Sequence, residues 1–235
     1  MNSNLETKKN DGTKPLLNPQ KHLNNFYSRR YTSEKHDSPE ESRTSMIRRI
    51  RNLILEGKIV PAEVLDIGSG PQSLEKQLFG FLHNGGSLKK MVQVVSIDLA
   101  NILPRRLLAR KIQNVQHVQG NAVKLPFADQ SFGLVVSNHA IDFCPQEEAF
   151  REAYRVLNNG GKGIFYLHHP SMFEYPPLNE EVVIFWQYLK DNHILFSNEQ
   201  DIRTFLKRVG FISAEISLKT DKLKTDKWWE VVAEK

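Results

Sequence analysis

The 235-residue chain predicts an α/β fold: a seven-stranded, mostly parallel sheet with one antiparallel strand near its C-terminal edge and helices on both faces. Three observations lead there. Short apolar runs closed by glycine or a polar residue alternate with longer amphipathic segments, the pattern of repeated strand–helix–strand units. Two closing runs, Phe211–Leu218 and Trp228–Ala233, are joined by a short basic turn with no helix between them, so one of the pair runs antiparallel. The composition, 40% apolar and 25% charged, is that of a globular domain, and a single core can serve this length.

In chain order, residues 1–24 are polar and aperiodic, with Asp11-Gly12 and two prolines, and are expected to be a disordered tail. Residues 25–60 form an N-terminal helical lid segment. Within it Met46, Ile47, Ile50, Leu53 and Ile54 share one face, Arg48, Arg49 and Arg51 lie between them, and Gly57 ends the helix. The main domain spans 61–235. Its first strand, Val64–Ile67, is closed by Gly68; Pro71 then opens a helix carrying Leu74, Leu78, Phe81 and Leu82. A strand at Val92–Ile97, a helix at Leu103–Ile112 and strands at Val115–Val118 and Leu134–Ser137 follow. Pro145 opens a helix with Ala149, Ala153, Val156 and Leu157 on one face, and Asn158-Asn159-Gly160-Gly161 is expected to stop it. Gly163–Leu167 is the fifth strand and Glu199–Val209 the last helix. Trp228 and Trp229 are neighbours on a strand, so one is expected to face inward and the other outward.

The longest unbroken apolar run is the five residues Val182–Trp186, against the ~20 needed to span a bilayer, which argues against a membrane protein. Cys144 is the one cysteine, so neither an internal disulfide nor a cysteine zinc cage can form. With no apolar signal core in the first thirty residues, a cytoplasmic location is expected. Residues 1–60 carry 12 basic and 7 acidic side chains, and this equals the whole net charge of +5. Such an arm either steers an anionic partner or is simply a solvated tail.

In an open parallel sheet ligands bind beyond the carboxyl ends of the strands. After the first strand stands Asp66-Ile67-Gly68-Ser69-Gly70-Pro71, where glycines allow a tight turn and a close approach to a ligand. A dinucleotide fingerprint would need glycine or alanine at Ser73, which disfavours a nicotinamide-dependent oxidoreductase. After the second strand, Asp98 can accept hydrogen bonds from both hydroxyls of a ribose, or cap the helix at Leu103.

The ordered set VLDIGSG, SIDLA, GNAVKLPFADQSFGLVVSNHAIDF and REAYRVLNNGGKGIFYLHHP resembles the class I S-adenosylmethionine-dependent methyltransferases of Rossmann-like fold, nearest to the types that act on small molecules. The resemblance covers roughly residues 60–235. It implies S-adenosyl-L-methionine as donor and S-adenosyl-L-homocysteine as product. It also implies that Asp66, Gly68 and Gly70 form the loop under the methionine moiety, that Asp98 holds the ribose, and that Leu99 packs on the adenine. Asn121 and Ala122 would meet the adenine edge, and Asn138 would lie beside the sulfonium. The chain departs from the family at Asn121, usually Asp; at Gly133, where Phe-Asp is usual; and at Asp142-Phe143, where Glu-His is common.

Methyl transfer from a sulfonium is an in-line displacement with an activated leaving group, so the protein mainly aligns the reactants and excludes water. A base is needed only where the nucleophile must lose a proton. His139, after the fourth strand, and His168 and His169, after the fifth, are candidates for base or substrate contact, with a plain structural role as the alternative. No metal site is expected. The acceptor site should be roofed by Asn25–Arg49, with Tyr27 and Tyr31, and by 170–198, with Phe173, Tyr175, Trp186 and Phe196; these rings could equally fill a core. The expected activity is methyl transfer to oxygen or nitrogen of a small-molecule acceptor. The alternatives are an RNA- or peptide-modifying methyltransferase that uses the basic arm, and a non-catalytic donor-binding partner subunit.

Overall fold

The computed structural model describes residues 40–59, 63–70, 73–83, 92–99, 114–174, 187, 190, 195–222 and 227–235. The expected tail 1–24, the helix at Leu103–Ile112, and Tyr27, Tyr31, Tyr175 and Trp186 lie outside the described residues. Among the described residues, helix α1 (Glu40–Leu55) precedes the sheet. The elements that follow are β1 (Glu63–Ile67), α2 (Ser73–His83), β2 (Gln93–Asp98), β3 (Val115–Gln119), β4 (Phe132–Asn138), α3 (Gln146–Val156), β5 (Leu157–His168), α4 (Glu199–Val209), β6 (Ser213–Thr220) and β7 (Lys227–Glu234).

The seven strands form one sheet in the order β3-β2-β1-β4-β5-β7-β6. The first five run parallel, and β7 is antiparallel to both β5 and β6, as the paired closing runs predict. The winding reverses between β1 and β4, so a crevice is expected where their carboxyl ends diverge.

Side chains alternate across the sheet, and each face buries its own layer. Leu65, Ile67, Val135, Phe165, Leu167, Trp229 and Val231 pack with Ala149, Phe150 and Ala153 of α3 and Ile202, Phe205 and Leu206 of α4. Val64, Leu134, Val136, Ile164, Tyr166, Trp228 and Val232 pack with Met46, Ile47, Ile50 and Leu53 of α1 and Leu74, Leu78 and Phe79 of α2. Trp228 and Trp229 do point to opposite faces, but neither reaches solvent, at 2% and 6% exposure, because both faces carry a helical layer.

A second expectation is corrected at Asn158–Gly161. These residues do not form a stop between α3 and a later strand; they belong to β5, which begins at Leu157 directly after the helix. Their backbones are held by Lys235, which accepts from the N–H of Gly160 at 2.9 Å and donates to the carbonyl of Gly161 at 3.1 Å. The β4–β5 register shifts between Phe132 and Leu134, at Gly133.

The long turn between β3 and β4 is pinned by two side chains of α3. Arg155 donates to the carbonyls of Leu125 and Phe127 and to Asp129, while Glu152 accepts from the N–H of Leu125 at 2.7 Å. This fixes the segment that carries Asn121 and Ala122.

Candidate functional site

The turn after β1 is built by backbone constraints. Gly68 and Gly70 adopt φ of +75° and +50°, in the left-handed region that glycine tolerates. The N–H groups of Gly68 and Ser69 both donate to the carbonyl of Ile97, at 2.8 and 3.2 Å, so the turn leans on the end of β2. The N–H of Gly70 donates to Asp98 Oδ2 at 3.0 Å. Asp98 is thereby aimed back at the glycine turn, half-buried at the carboxyl end of β2. A carboxylate fixed this way can accept from a vicinal diol.

Beside it, Leu99 is half-buried and its carbonyl accepts from Gln119 Nε2 at 3.2 Å. The N–H of Gly120 donates to the carbonyl of Asp98 at 2.9 Å, and a Cβ on Gly120 would fall 2.6 Å from Ile97 Cδ1. Asn121 then closes a side-chain turn, its Oδ1 accepting from the N–H of Val123 at 3.1 Å. Ala122 is buried against the α3-side core. Gly68, Gly70, Asp98, Leu99, Gly120 and Asn121 thus sit on three adjacent turns joined by hydrogen bonds.

Asn138 ends β4 and His139 follows it with φ of +57°, in the left-handed region. That turn is locked by the N–H of His139 to the carbonyl of Tyr166 at 3.0 Å, by Ser137 Oγ to the carbonyl of Ile67 at 2.9 Å, and by the N–H of Ile141 to Ser137 Oγ at 3.0 Å. The imidazole of His139 lies 4.6 Å from that of His168 between ring centres and is also near Tyr166 and Trp228. Neither of its nitrogens has a hydrogen-bond partner among the described residues. Burial, aided by the His168 charge, pushes its pKa down to about 3, so the ring is neutral near pH 7.

His168 is tied to Asp142. The buried Asp142 carboxylate accepts from the N–H of His168 at 2.7 Å and meets its Nδ1 at 2.8 Å. Burial alone would raise the Asp142 pKa, but the charge and hydrogen bonds of His168 outweigh it and hold the carboxyl below its usual range. With the carboxylate on Nδ1, the lone pair of the neutral ring sits on Nε2. His169 points elsewhere, its Nδ1 2.9 Å from Ser171 Oγ. Phe173 lies in the short helical turn after β5 with Lys190 Nζ 4.8 Å from its ring centre, whereas Phe196 is a core residue whose carbonyl accepts from Trp229 Nε1 at 2.8 Å. Cys144 has its thiol pushed up to about 12 by burial, which suits an inert small side chain.

Two groups escaped the sequence reading. Asp142 was visible only as a departure from a motif, and its pairing with a residue 26 positions on needs the fold. Glu75, in the first turn of α2, looks like an ordinary helix-start acid, yet it is fully buried beside Asp66. Among the described residues no cluster of His, Cys, Asp and Glu could hold a metal ion, and no helix is long and apolar enough to cross a membrane.

A family model for a methyltransferase domain matches residues 65–165. The chain is 25% identical over 234 residues to the ubiquinone/menaquinone biosynthesis C-methyltransferase of Rickettsia prowazekii, covering 89% of this chain and 91% of that protein. It is 32% identical over 129 residues to the malonyl-[acyl-carrier protein] O-methyltransferase of Pseudescherichia vulneris, covering 53% of this chain and 47% of that one. Among solved structures, the phosphoethanolamine N-methyltransferase 2 of Haemonchus contortus, in complex with S-adenosyl-L-methionine, superposes with a TM-score of 0.60 at 18% identity. That match covers 91% of this chain and 56% of the nematode chain, so the protein spans little more than half of that relative.

Proposed function

We propose that the chain is a class I S-adenosylmethionine-dependent methyltransferase that methylates an oxygen or nitrogen of a small-molecule acceptor, with His168 and Asp142 handling the acceptor proton. The donor is S-adenosyl-L-methionine and the product S-adenosyl-L-homocysteine. The residues present fit that donor: Gly68 and Gly70 keep the turn after β1 tight at positive φ, and the half-buried Asp98 carboxylate is aimed back at that turn from the end of β2. Gly68 and Gly70 would lie under its methionine portion, Asp98 on its ribose, and Leu99, Asn121 and Ala122 around its base, with Asn138 near the sulfur. When bound, it supplies an activated methyl group on a sulfonium.

The chain supplies alignment and proton handling. Asp142 fixes the His168 ring and stabilises the imidazolium that forms when Nε2 takes a proton from a hydroxyl or an ammonium. The buried, neutral His139 lies tilted beside it and limits water there. The observation that carries this reading is the Asp142–His168 pair at the adjoining ends of β4 and β5. A carbon acceptor is the second reading, favoured by the end-to-end similarity to the Rickettsia C-methyltransferase. The single cysteine suits a cytosolic setting.

The test is production of S-adenosyl-L-homocysteine with a panel of phenols, carboxylic acids, amines and activated carbon acids. Turnover confined to the O and N acceptors, with an acidic limb lost in H168Q, supports the proposal. Turnover confined to the carbon acids overturns it, and an activity that collapses with salt on an RNA or peptide acceptor points instead to a polymer.

A further inference from the structure

Two carboxyl groups under the glycine turn share one dry site. Asp66 lies on β1 and Glu75 in the first turn of α2, at 2% and 0% exposure. Neither oxygen of Glu75 makes a well-formed hydrogen bond among the described residues. Burial pushes the Asp66 carboxyl up to about 7; the neighbouring Glu75 opposes that rise and the charge of Asp98 adds to it. Burial, then the charge of Asp66, raises Glu75. The charged groups facing the pair are Asp98 from β2 and Lys76 from α2, and of these only the exposed Lys76 favours ionisation. The pair therefore keeps a proton near neutral pH, with the positive end of α2 beside it to stabilise the anion once that proton leaves.

The donor and product differ by one positive charge, the sulfonium against a thioether. Resting on the donor-site reading above, we propose that the Asp66–Glu75 pair discriminates the cationic donor from the uncharged product by losing a proton to solvent when the donor binds and regaining it when only product remains. One carboxyl O–H bond breaks, its proton passes to the buffer, and no other bond changes. A unit positive charge brought near such a pair, with an effective dielectric constant of ~20, lowers its apparent pKa by roughly 1–2 units. That spans neutral pH, so the donor finds the pair ionised where the product finds it protonated.

Isothermal titration of the full chain at pH 7, in phosphate and in Tris, reads the proton count directly. S-adenosyl-L-methionine should release about 0.3–0.5 proton more than S-adenosyl-L-homocysteine. The ratio of product Kd to donor Kd should widen about tenfold between pH 6 and 8. D66N, which removes the carboxyl that titrates near 7, should remove both effects and also subtracts the titration of the ligand's own amine; D66S repeats the comparison if circular dichroism shows D66N unfolded. If neither nucleoside binds the wild-type chain, the donor site is misplaced. If both bind with equal proton counts, or the variant keeps the difference, this inference fails and the donor site stands.

Discussion

Gly68 and Ala140 approach so closely that a Cβ on the glycine would lie 2.2 Å from the alanine Cβ. The turn after β1 and the turn after β4 are therefore in direct contact, and the two halves of the candidate site share one wall. G68A should force them apart and also place a side chain at φ of +75°. The expected cost is about 2–4 kcal/mol in urea unfolding, with donor binding weakened in step. Unchanged stability would mean that the turns separate freely.

Asp98 should dominate donor affinity. D98A removes the acceptor for the Gly70 N–H and for the sugar, so donor Kd should rise at least tenfold, and by about a hundredfold if two charged hydrogen bonds are lost. Calorimetry on the folded variant measures it; a Kd within a factor of two of wild type would remove Asp98 from the site.

His139 and Asp142 set the response to acid in two windows. The folded pKa of His139, about 3, lies below its unfolded value near 6.5, so the unfolded state binds the extra proton. Its stability contribution is complete above about pH 6.5 and is lost as pH falls toward 3, amounting to as much as ~4 kcal/mol. Asp142 is also depressed, so its contribution is complete above its unfolded value near 4 and is lost below that. H139N tolerates the left-handed backbone and should flatten the upper window, while D142N should flatten the lower one, in urea midpoints measured from pH 7 to 3.

Tyr166 ties α1 to the sheet. Its hydroxyl bonds Ser45 Oγ at 3.0 Å and also Glu230, and Ser45 Oγ donates to the same carboxylate at 3.1 Å. Y166F should cost about 1–2 kcal/mol. Faster hydrogen exchange confined to α1 would locate the loss there, and exchange unchanged in α1 would exclude this role for the tyrosine.

Local chemistry explains which parts were legible. The helix Glu199–Val209 matches residue for residue because both ends are encoded: Asn198 accepts from the N–H of Asp201 at 2.9 Å, and Gly210 takes φ of +128°. The glycine turn after β1 and Asp98 at the end of β2 stand where the sequence places them because glycine and a polar residue mark strand ends locally. Asn158–Gly161 misled because asparagine and glycine favour turns, while the partners that hold them, Lys235 and β4, are remote or irregular in register. The Asp142–His168 pair and buried Glu75 stayed hidden for a similar reason: burial and partnership across the fold, not residue type, give them their character.

The order of the strands bears on biosynthesis. β7 lies between β5 and β6 but follows both in the chain, so β6 leaves the ribosome with no neighbour to zip onto. Until β7 emerges, the backbone N–H and C=O groups along one edge of β5 stay unpaired, and a nascent chain stalled in that interval would offer chaperones, or another nascent chain, an open sheet border.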